Sequence, residues 1–185
     1  MRARRNIPLL TTTPPVPRSY TISIAALQGK TVWNSTPEEL GLTADQLQAE
    51  QQWLKDFNEG GDQLNWETWK DFQWKDDAFS TWSHIRLEGK SAMADYFGNH
   101  LKPFKKPCTH KVSRQSFDVK QGLIYQTLDI TRAIDGDPDP TKTYTTPTLL
   151  IIHKKIGESK ISGMEAYLDM SEIQETLKAL SAKAV

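Results

Sequence analysis

Apolar residues at helical spacing predict three helices in the first half of the chain. The first follows Thr43-Ala-Asp-Gln46, which is typical of a capping box, because the Thr and Gln side chains can each bond the other's backbone amide. Leu47, Leu54 and Phe57 then recur on one helical face, and Gly60-Gly61 is expected to end the helix.

Two more helices and one strand are expected before residue 105. Asn65 can cap a short helix over residues 66–72, and Asp76-Asp77 is expected to form a turn. Residues 79–85 alternate aromatic and polar side chains, as a half-buried strand does. Gly89 opens the next helix, whose apolar stripe comprises Met93, Tyr96, Phe97, Leu101 and Phe104.

From residue 109 the pattern changes to long strands. They are predicted over residues 109–119, 123–134, 143–154 and 160–169, with turns at Gly122, at 135–140 and at 157–159. Ser171 is expected to cap a final helix over residues 172–180. This order predicts an α+β fold in which helices cover one face of a curved antiparallel sheet.

Residues 1–35 differ from the remainder. They are polar and proline-rich around residues 11–17, so they are expected to form an extended N-terminal arm, which can lie along the domain or against a partner chain. The basic residues 1–5 are interpreted as a terminus rather than a targeting leader. A single domain is predicted over residues 36–185.

Composition narrows the class of partner. The chain has 23 basic and 23 acidic residues, so its net charge gives no argument for binding nucleic acid or an anionic membrane. No membrane-spanning run or signal-peptide pattern is recognised. Cys108 is the only cysteine, which excludes an internal disulfide and fits a reducing, cytoplasmic location. No ligand pair has a spacing such as H-x-x-x-H, so neither a metal nor a cofactor is predicted.

Three local patterns carry a family resemblance: residues 74–79 (WKDDAF), residues 84–90 (HIRLEGK) followed by Met93 and Phe97, and residues 160–169 (KISGMEAYLD). They resemble the turn into the first strand, the strand-to-helix step and the closing strand of the NTF2-like superfamily, within it the SnoaL-like (polyketide cyclase-like) group. The resemblance covers residues 40–182. It implies a cone-shaped fold, with a curved antiparallel sheet wrapped on helices around a pocket. This fold hosts isomerases, cyclases, dehydratases, hydrolases and binding modules, so it leaves the function open.

Residues 125–133 (YQTLDITRA) also resemble the central strand of the limonene epoxide hydrolases. In that family an Arg-x-Asp pair and a second Asp on the closing strand activate water and protonate the epoxide. Asp129 matches the first acid, but Thr127 stands in place of the Arg and Ala166 in place of the second Asp. Epoxide hydrolysis is therefore not predicted.

Asp129 is the leading catalytic candidate. Strand alternation places it on one face with Tyr125, Thr127 and Thr131. If that face borders a pocket, the carboxyl group becomes a usable acid or base. The alternative is an exposed Asp on a solvated sheet face.

His84 is the second catalytic candidate, a general base expected on the same face as Trp82, although a surface or core role is the commoner one for a His. Glu165 is expected on the surface or at a dimer interface. Substrate contacts are predicted for Tyr125, Thr127, Trp82, Trp53, Phe57, Tyr96, Phe97 and Met164, with simple core packing as the alternative for the aromatic residues.

Two function classes remain open. The first is a cofactor-independent acid–base enzyme of the isomerase, cyclase or dehydratase type, acting on an apolar small molecule such as a polyketide or terpenoid intermediate of secondary metabolism. The second is a non-catalytic ligand-binding or dimerisation module. A homodimer through the sheet is expected because Ile124, Leu128, Ile130, Leu149 and Ile151 are predicted to share one uncovered apolar face.

Overall fold

The computed structural model of the chain describes residues 32–33 and 36–183, so the predicted arm over residues 1–35 lies almost wholly outside the described residues. The elements run in the order β1 (Val32–Trp33), α1 (Pro37–Leu40), α2 (Ala44–Asp62), α3 (Trp66–Gln73), β2 (Trp74–Trp82), β3 (Ile85–Glu88), α4 (Gly89–His100), β4 (Phe104–Asp118), β5 (Leu123–Ile134), β6 (Tyr144–His153), β7 (Ile161–Leu168) and α5 (Ser171–Lys183). No helix in these ranges is long and apolar enough to cross a membrane.

Helix α2 begins as the sequence predicts but ends later. The Gln46 amide donates to Thr43 Oγ1 at 3.1 Å, and the Thr43 amide donates to Gln46 Oε1 at 2.8 Å, which confirms the capping box. The helix continues through Gly61 to Asp62, so the predicted stop at the glycine pair is wrong. A Cβ atom on Gly61 would lie 3.2 Å from His110 Cε1, so the glycine permits close packing of α2 on the imidazole.

The sheet is open and curved, with strand order β1-β4-β5-β6-β7-β2-β3. The four strands β4 to β7 pair antiparallel in sequence, which confirms the predicted antiparallel run. Strand β2 then pairs with β7 in parallel. Asp76-Asp77 lies within β2 and not in a turn, because a register shift between Trp74 and Phe79 accommodates the extra residues as a bulge.

The two faces of the sheet differ in their cover. Helices α2 and α4 pack on β4 and β2, over the face that carries Ile124, Gln126, Leu128 and Ile130, each at most 2% exposed. We call this the inner face and the opposite one the outer face. The main core lies beneath the helices and includes Leu54, Phe57, Trp66, Trp74, Met93 and Phe97.

The predicted uncovered apolar set is split between the two faces. Ile124, Leu128 and Ile130 lie on the inner face. Leu149 lies opposite Thr127, and Ile151 opposite Tyr125, so both belong to the outer face. The strand register, which the sequence does not reveal, accounts for this error.

Helix α5 starts where it was expected, with a different cap. Asp169 Oδ1 accepts from the backbone amide of Ser171 at 2.9 Å and from its hydroxyl at 2.6 Å. The aspartate, which ends the recognised closing strand, therefore supplies the acceptor, and Ser171 is already the first helical residue.

Candidate functional site

Asp129 lies on the outer face of β5 and is exposed. With Thr127 it lines a shallow depression of about 340 Å³, away from the helices. Of the two alternatives left open for Asp129, a pocket-facing acid or an exposed Asp on a solvated sheet face, the structure shows the exposed one, because the helices cover the alternate residues of the strand. Tyr125 is half-buried on the same outer face. A catalytic role for Asp129 stays a prediction, without a surrounding pocket to support it.

His84 is exposed in the turn between β2 and β3. Strand β2 ends at Trp82, and Ser83 adopts a positive φ of 52°, so the alternation that was expected to align His84 with Trp82 is interrupted. Strands β6 and β7 separate β2 from β5. The structure therefore does not bring His84 and Asp129 together.

The predicted aromatic contacts form two groups. Trp82 lies 5.4 Å from Phe97 and 6.4 Å from Tyr96 between ring centroids. Trp53 stacks on Phe57 at 5.2 Å. Phe57, Phe97 and Met164 are each 1% exposed and belong to the main core, so their packing role is evident, and substrate contact by these residues remains a prediction.

A groove of about 390 Å³ lies between α2 and β4. Residues at helical spacing place one stripe of α2 along the groove. The opposite wall is one face of β4, whose alternation is shifted by an irregularity in register after Val112. Its lining comprises Gln51, Lys55, Asn58, Glu59 and Asp62 from α2, and His110, Val112 and Gln115 from β4. Neither catalytic candidate predicted from the sequence lies in it.

Asp62 and His110 form a hydrogen-bonded pair across this groove. The Asp62 Oδ1 atom lies 2.6 Å from His110 Nδ1, and the two side chains are 25% and 14% exposed. A carboxylate in this position fixes the imidazole orientation, favours the tautomer with its proton on Nδ1, and stabilises the imidazolium. The arrangement can therefore accept a proton at the other ring nitrogen, Nε2, and return it.

Amide groups beside this pair lack hydrogen-bond partners among the described residues. Asn58 and Gln115 are 8% and 5% exposed, and Asn58 Oδ1 and Gln115 Oε1 have none. Gln126, which lies opposite Gln115 on β5, is fully buried with both amide atoms unpaired. Asn58 and Gln115 also line the groove, so two costly unpaired oxygens belong to side chains that border it.

Cys108 precedes His110 by two residues on the same face of β4 and lies opposite Arg132. Burial raises the pKa of the Cys108 thiol, so a neutral thiol is expected at pH 7 and not an activated nucleophile. The guanidinium of Arg132 is itself 6% exposed. It contacts Met170 Sδ at 3.5 Å and the Phe104 ring at 5.1 Å, and forms no ion pair with a described carboxylate.

The residues of this groove were missed because nothing in the sequence links them. Asp62 and His110 are 48 positions apart, and neither is in a motif. The available signals were weak: an acidic residue directly after a predicted helix stop, and the alternation that places Cys108 and His110 on one strand face.

No protein family model matches the sequence, and no curated protein matches it by sequence. Solved structures do match. PrhC from Penicillium brasilianum has a TM-score of 0.60 at 14% identity, over 76% of this chain and 91% of that chain. A protein from Shewanella denitrificans, designated by likeness as a SnoaL-like polyketide cyclase, has a TM-score of 0.56 at 10% identity, over 71% and 98%. A protein from Catenulispora acidiphila with a ketosteroid isomerase-like fold, bound to trimethylamine, has 0.55 at 8%, over 67% and 90%.

These likenesses confirm the predicted fold class. The chain has the α+β, NTF2-like fold, and its structural neighbours include SnoaL-like and ketosteroid isomerase-like proteins. At such low identity the similarity concerns the fold alone, so only the residues of the groove bear on the chemistry of this chain.

Proposed function

We propose that the protein is a cofactor-independent acid–base enzyme of the isomerase or cyclase type, with Asp62 and His110 as its proton-transferring pair. The observation that carries this proposal is the 2.6 Å contact between Asp62 Oδ1 and His110 Nδ1 in a groove of about 390 Å³. A groove of that size fits a small molecule, and a half-buried imidazole held by a carboxylate suits proton transfer.

The proposed steps use only the residues of the chain. His110 Nε2 removes a proton from a carbon next to a carbonyl group, while Asp62 accepts the hydrogen bond from Nδ1–H and stabilises the imidazolium. Returning the proton to another carbon completes an isomerisation. In a cyclisation the carbanion attacks a second carbonyl of the substrate, and the resulting alkoxide takes the proton back from His110 Nε2. Asn58 and Gln115, both in the groove lining, orient the substrate once a rotation of the amide turns its unpaired oxygen towards a substrate hydroxyl.

The substrate class is proposed as an apolar polyketide- or terpenoid-like molecule. Three amide side chains and Val112 give neutral contacts, and the opposite charges of Lys55 and Glu59 in the lining lie 3.8 Å apart, so the groove favours a ligand without net charge that carries carbonyl or hydroxyl groups. The SnoaL-like polyketide cyclase designation belongs to a structural neighbour and supports this class by analogy of fold only.

Deuterium exchange tests the proposal without the natural substrate. The probe is α-tetralone, an aromatic bicyclic ketone, incubated with protein in D₂O and analysed by mass spectrometry. The wild type is expected to accelerate deuterium uptake next to the carbonyl, and His110→Gln to reduce the acceleration by about 100-fold or more. His153→Gln is the matched control, because His153 also bonds a carboxylate, Glu165 at 2.7 Å, but away from the groove.

A backbone variant tests the position of the imidazole. In Gly61→Ala the new methyl group must displace His110, whose Cε1 lies 3.2 Å from the Cβ position, so an intermediate loss of exchange is expected. Gly98→Ala is its control, since nothing lies within 4 Å of that Cβ position. Equal exchange by wild type and His110→Gln would refute the acid–base role.

A second proposal concerns assembly. Leu149 and Tyr167 are 37% and 43% exposed on the outer face, an unusual exposure for large apolar groups, and this favours a homodimer through the sheet. Glu165 lies on the same face. Hydrogen bonds from Tyr167 and then His153 lower the pKa of its carboxyl group.

A binding module without catalysis would show the dimer and ligand binding, but no deuterium exchange.

A further inference from the structure

We infer that the groove between α2 and β4 also binds one zinc ion, through Asp62, Cys108 and His110. Each of these residues offers one ligand atom, and the three atoms all lie within 4.8 Å of one another. They come from two elements, the C-terminal turn of α2 and the inner face of β4. The spacing of these residues matches no short metal-binding motif, because the first ligand, Asp62, and the second, Cys108, are 46 positions apart (108 minus 62).

The donor set selects the metal. A sulfur, an imidazole nitrogen and a carboxylate oxygen are the three protein ligand types that Zn²⁺ accepts, whereas Mg²⁺ and Ca²⁺ require oxygen. A bound thiolate and a carboxylate together neutralise the charge of the ion. Three protein ligands leave one tetrahedral position open, as in zinc sites that take water or a ligand.

The distances require only a small adjustment. Around a tetrahedral zinc ion with bonds of about 2.0–2.3 Å, neighbouring ligand atoms lie roughly 3.3–3.8 Å apart. The 4.8 Å limit exceeds this range by about 1 Å. The 2.6 Å contact between Asp62 Oδ1 and His110 Nδ1 must instead open by about 1 Å, which a carboxylate rotation achieves.

A second observation indicates that the groove binds a molecule or ion that is not part of the chain. Asn58 and Gln115 line it, and their amide oxygens Oδ1 and Oε1 are buried without a hydrogen-bond partner among the described residues. Unpaired acceptors on two lining side chains favour the entry of a hydrogen-bond donor such as water.

Zinc binding goes beyond the proposed acid–base function and competes with it. With zinc on Nδ1, the neutral His110 imidazole carries its proton on Nε2 and has no free lone pair there, so bound zinc is expected to suppress deuterium exchange. Binding itself is measured without turnover. The zinc site can therefore fail while the acid–base pair stands, and the acid–base pair can fail while the zinc site stands.

The experiment is equilibrium binding of Zn²⁺ to the full chain, followed by substitution with Co²⁺. One zinc ion per chain is expected, and Co²⁺ should give a near-ultraviolet sulfur-to-metal absorption band. Cys108→Ser should abolish the band. Loss of a hydrogen-bond partner of a metal ligand typically weakens metal binding by about 10- to 100-fold. Cys108→Ser and His110→Gln each remove a ligand itself, so each should weaken zinc binding by more than that. His153→Gln should bind zinc like the wild type, since its carboxylate pair has no thiol.

X-ray absorption at the zinc edge of the wild type gives an answer that needs no variant. One sulfur and two or three nitrogen or oxygen neighbours are expected. A zinc shell without sulfur, no binding at micromolar zinc, or equal affinity in the wild type and Cys108→Ser would each overturn the inference.

Discussion

The buried ion pair between Glu50 and Lys154 gives the clearest stability prediction. The two residues are 3% and 2% exposed, and Lys154 Nζ donates to Glu50 Oε2. Glu50 Oε1 also accepts from the Gly157 amide at 2.8 Å, and the ammonium group lies 4.8 Å from the Trp53 ring centroid. The pair ties α2, which carries Asn58 and Asp62, to the loop between β6 and β7.

Replacing Glu50 with alanine should be strongly destabilising. It leaves a buried ammonium group without a counter-charge, which costs about 3–5 kcal/mol, and it removes the acceptor of the Gly157 amide. We expect a loss of about 4 kcal/mol in the free energy of unfolding. For a chain of this length that corresponds to a Tm lower by roughly 8–16 °C.

The charge, and not the volume, should account for most of the loss. In the double variant Glu50→Leu with Lys154→Met, two apolar side chains of similar size replace the pair, and most of the stability should return. The control is Glu59→Ala on the same helix, which removes an exposed contact of 3.8 Å with Lys55 and should cost less than about 1 kcal/mol. Urea unfolding followed by circular dichroism measures all three. A loss below about 1 kcal/mol for Glu50→Ala, or no recovery in the double variant, would refute this reasoning.

Two further predictions concern pH and assembly. Burial, with a smaller contribution from the Arg132 charge, lowers the pKa of His100 to about 4 from its ordinary 6.5. The unfolded chain therefore protonates His100 more readily than the folded chain does. The contribution of neutral His100 to the free energy of unfolding is complete above about pH 6.5 and is lost as the pH falls towards 4. Urea unfolding at pH 7 and pH 5 should therefore show a smaller acid-side loss in His100→Gln than in wild type, and equal losses would contradict it. Leu149→Asp should convert the proposed homodimer into monomers in light scattering, whereas a monomeric wild type would contradict that assembly.

Local signals predicted the elements well. Strand β5 has the predicted bounds, because Gly122, with a positive φ of 68°, closes the turn before it and an exposed turn follows it. The Thr43 capping box is likewise a local interaction and was correct. The turn predicted at Asp76-Asp77 was wrong because the structure there depends on a distant strand and not on local sequence. Turn-type residues can be absorbed by a bulge when the strand partner, here β7, is remote in sequence.

The candidate site could not be predicted in the same way. Alternation along β5 correctly separated Asp129 from Leu128, but which side is covered depends on how α2 and α4 pack, and no local pattern carries that information. The approach of Asp62 to His110 depends on the same long-range packing. The structure therefore moves the candidate chemistry from a strand to a helix and the strand beneath it.

The distribution of carboxylates explains why a helix must supply the acid. Among the described residues, the inner face of β4 to β7 carries amides, hydroxyls, Cys108, His110 and the Arg132 guanidinium. It carries no carboxylate, since strand alternation places Asp118, Asp129 and Glu165 on the outer face. Helix α2 brings three carboxylates to this region. Glu50 is neutralised by a buried lysine, so it serves stability. Glu59 is exposed and lies 3.8 Å from Lys55. Asp62 is paired with an imidazole, so it is the one of the three that is placed for proton transfer or metal binding.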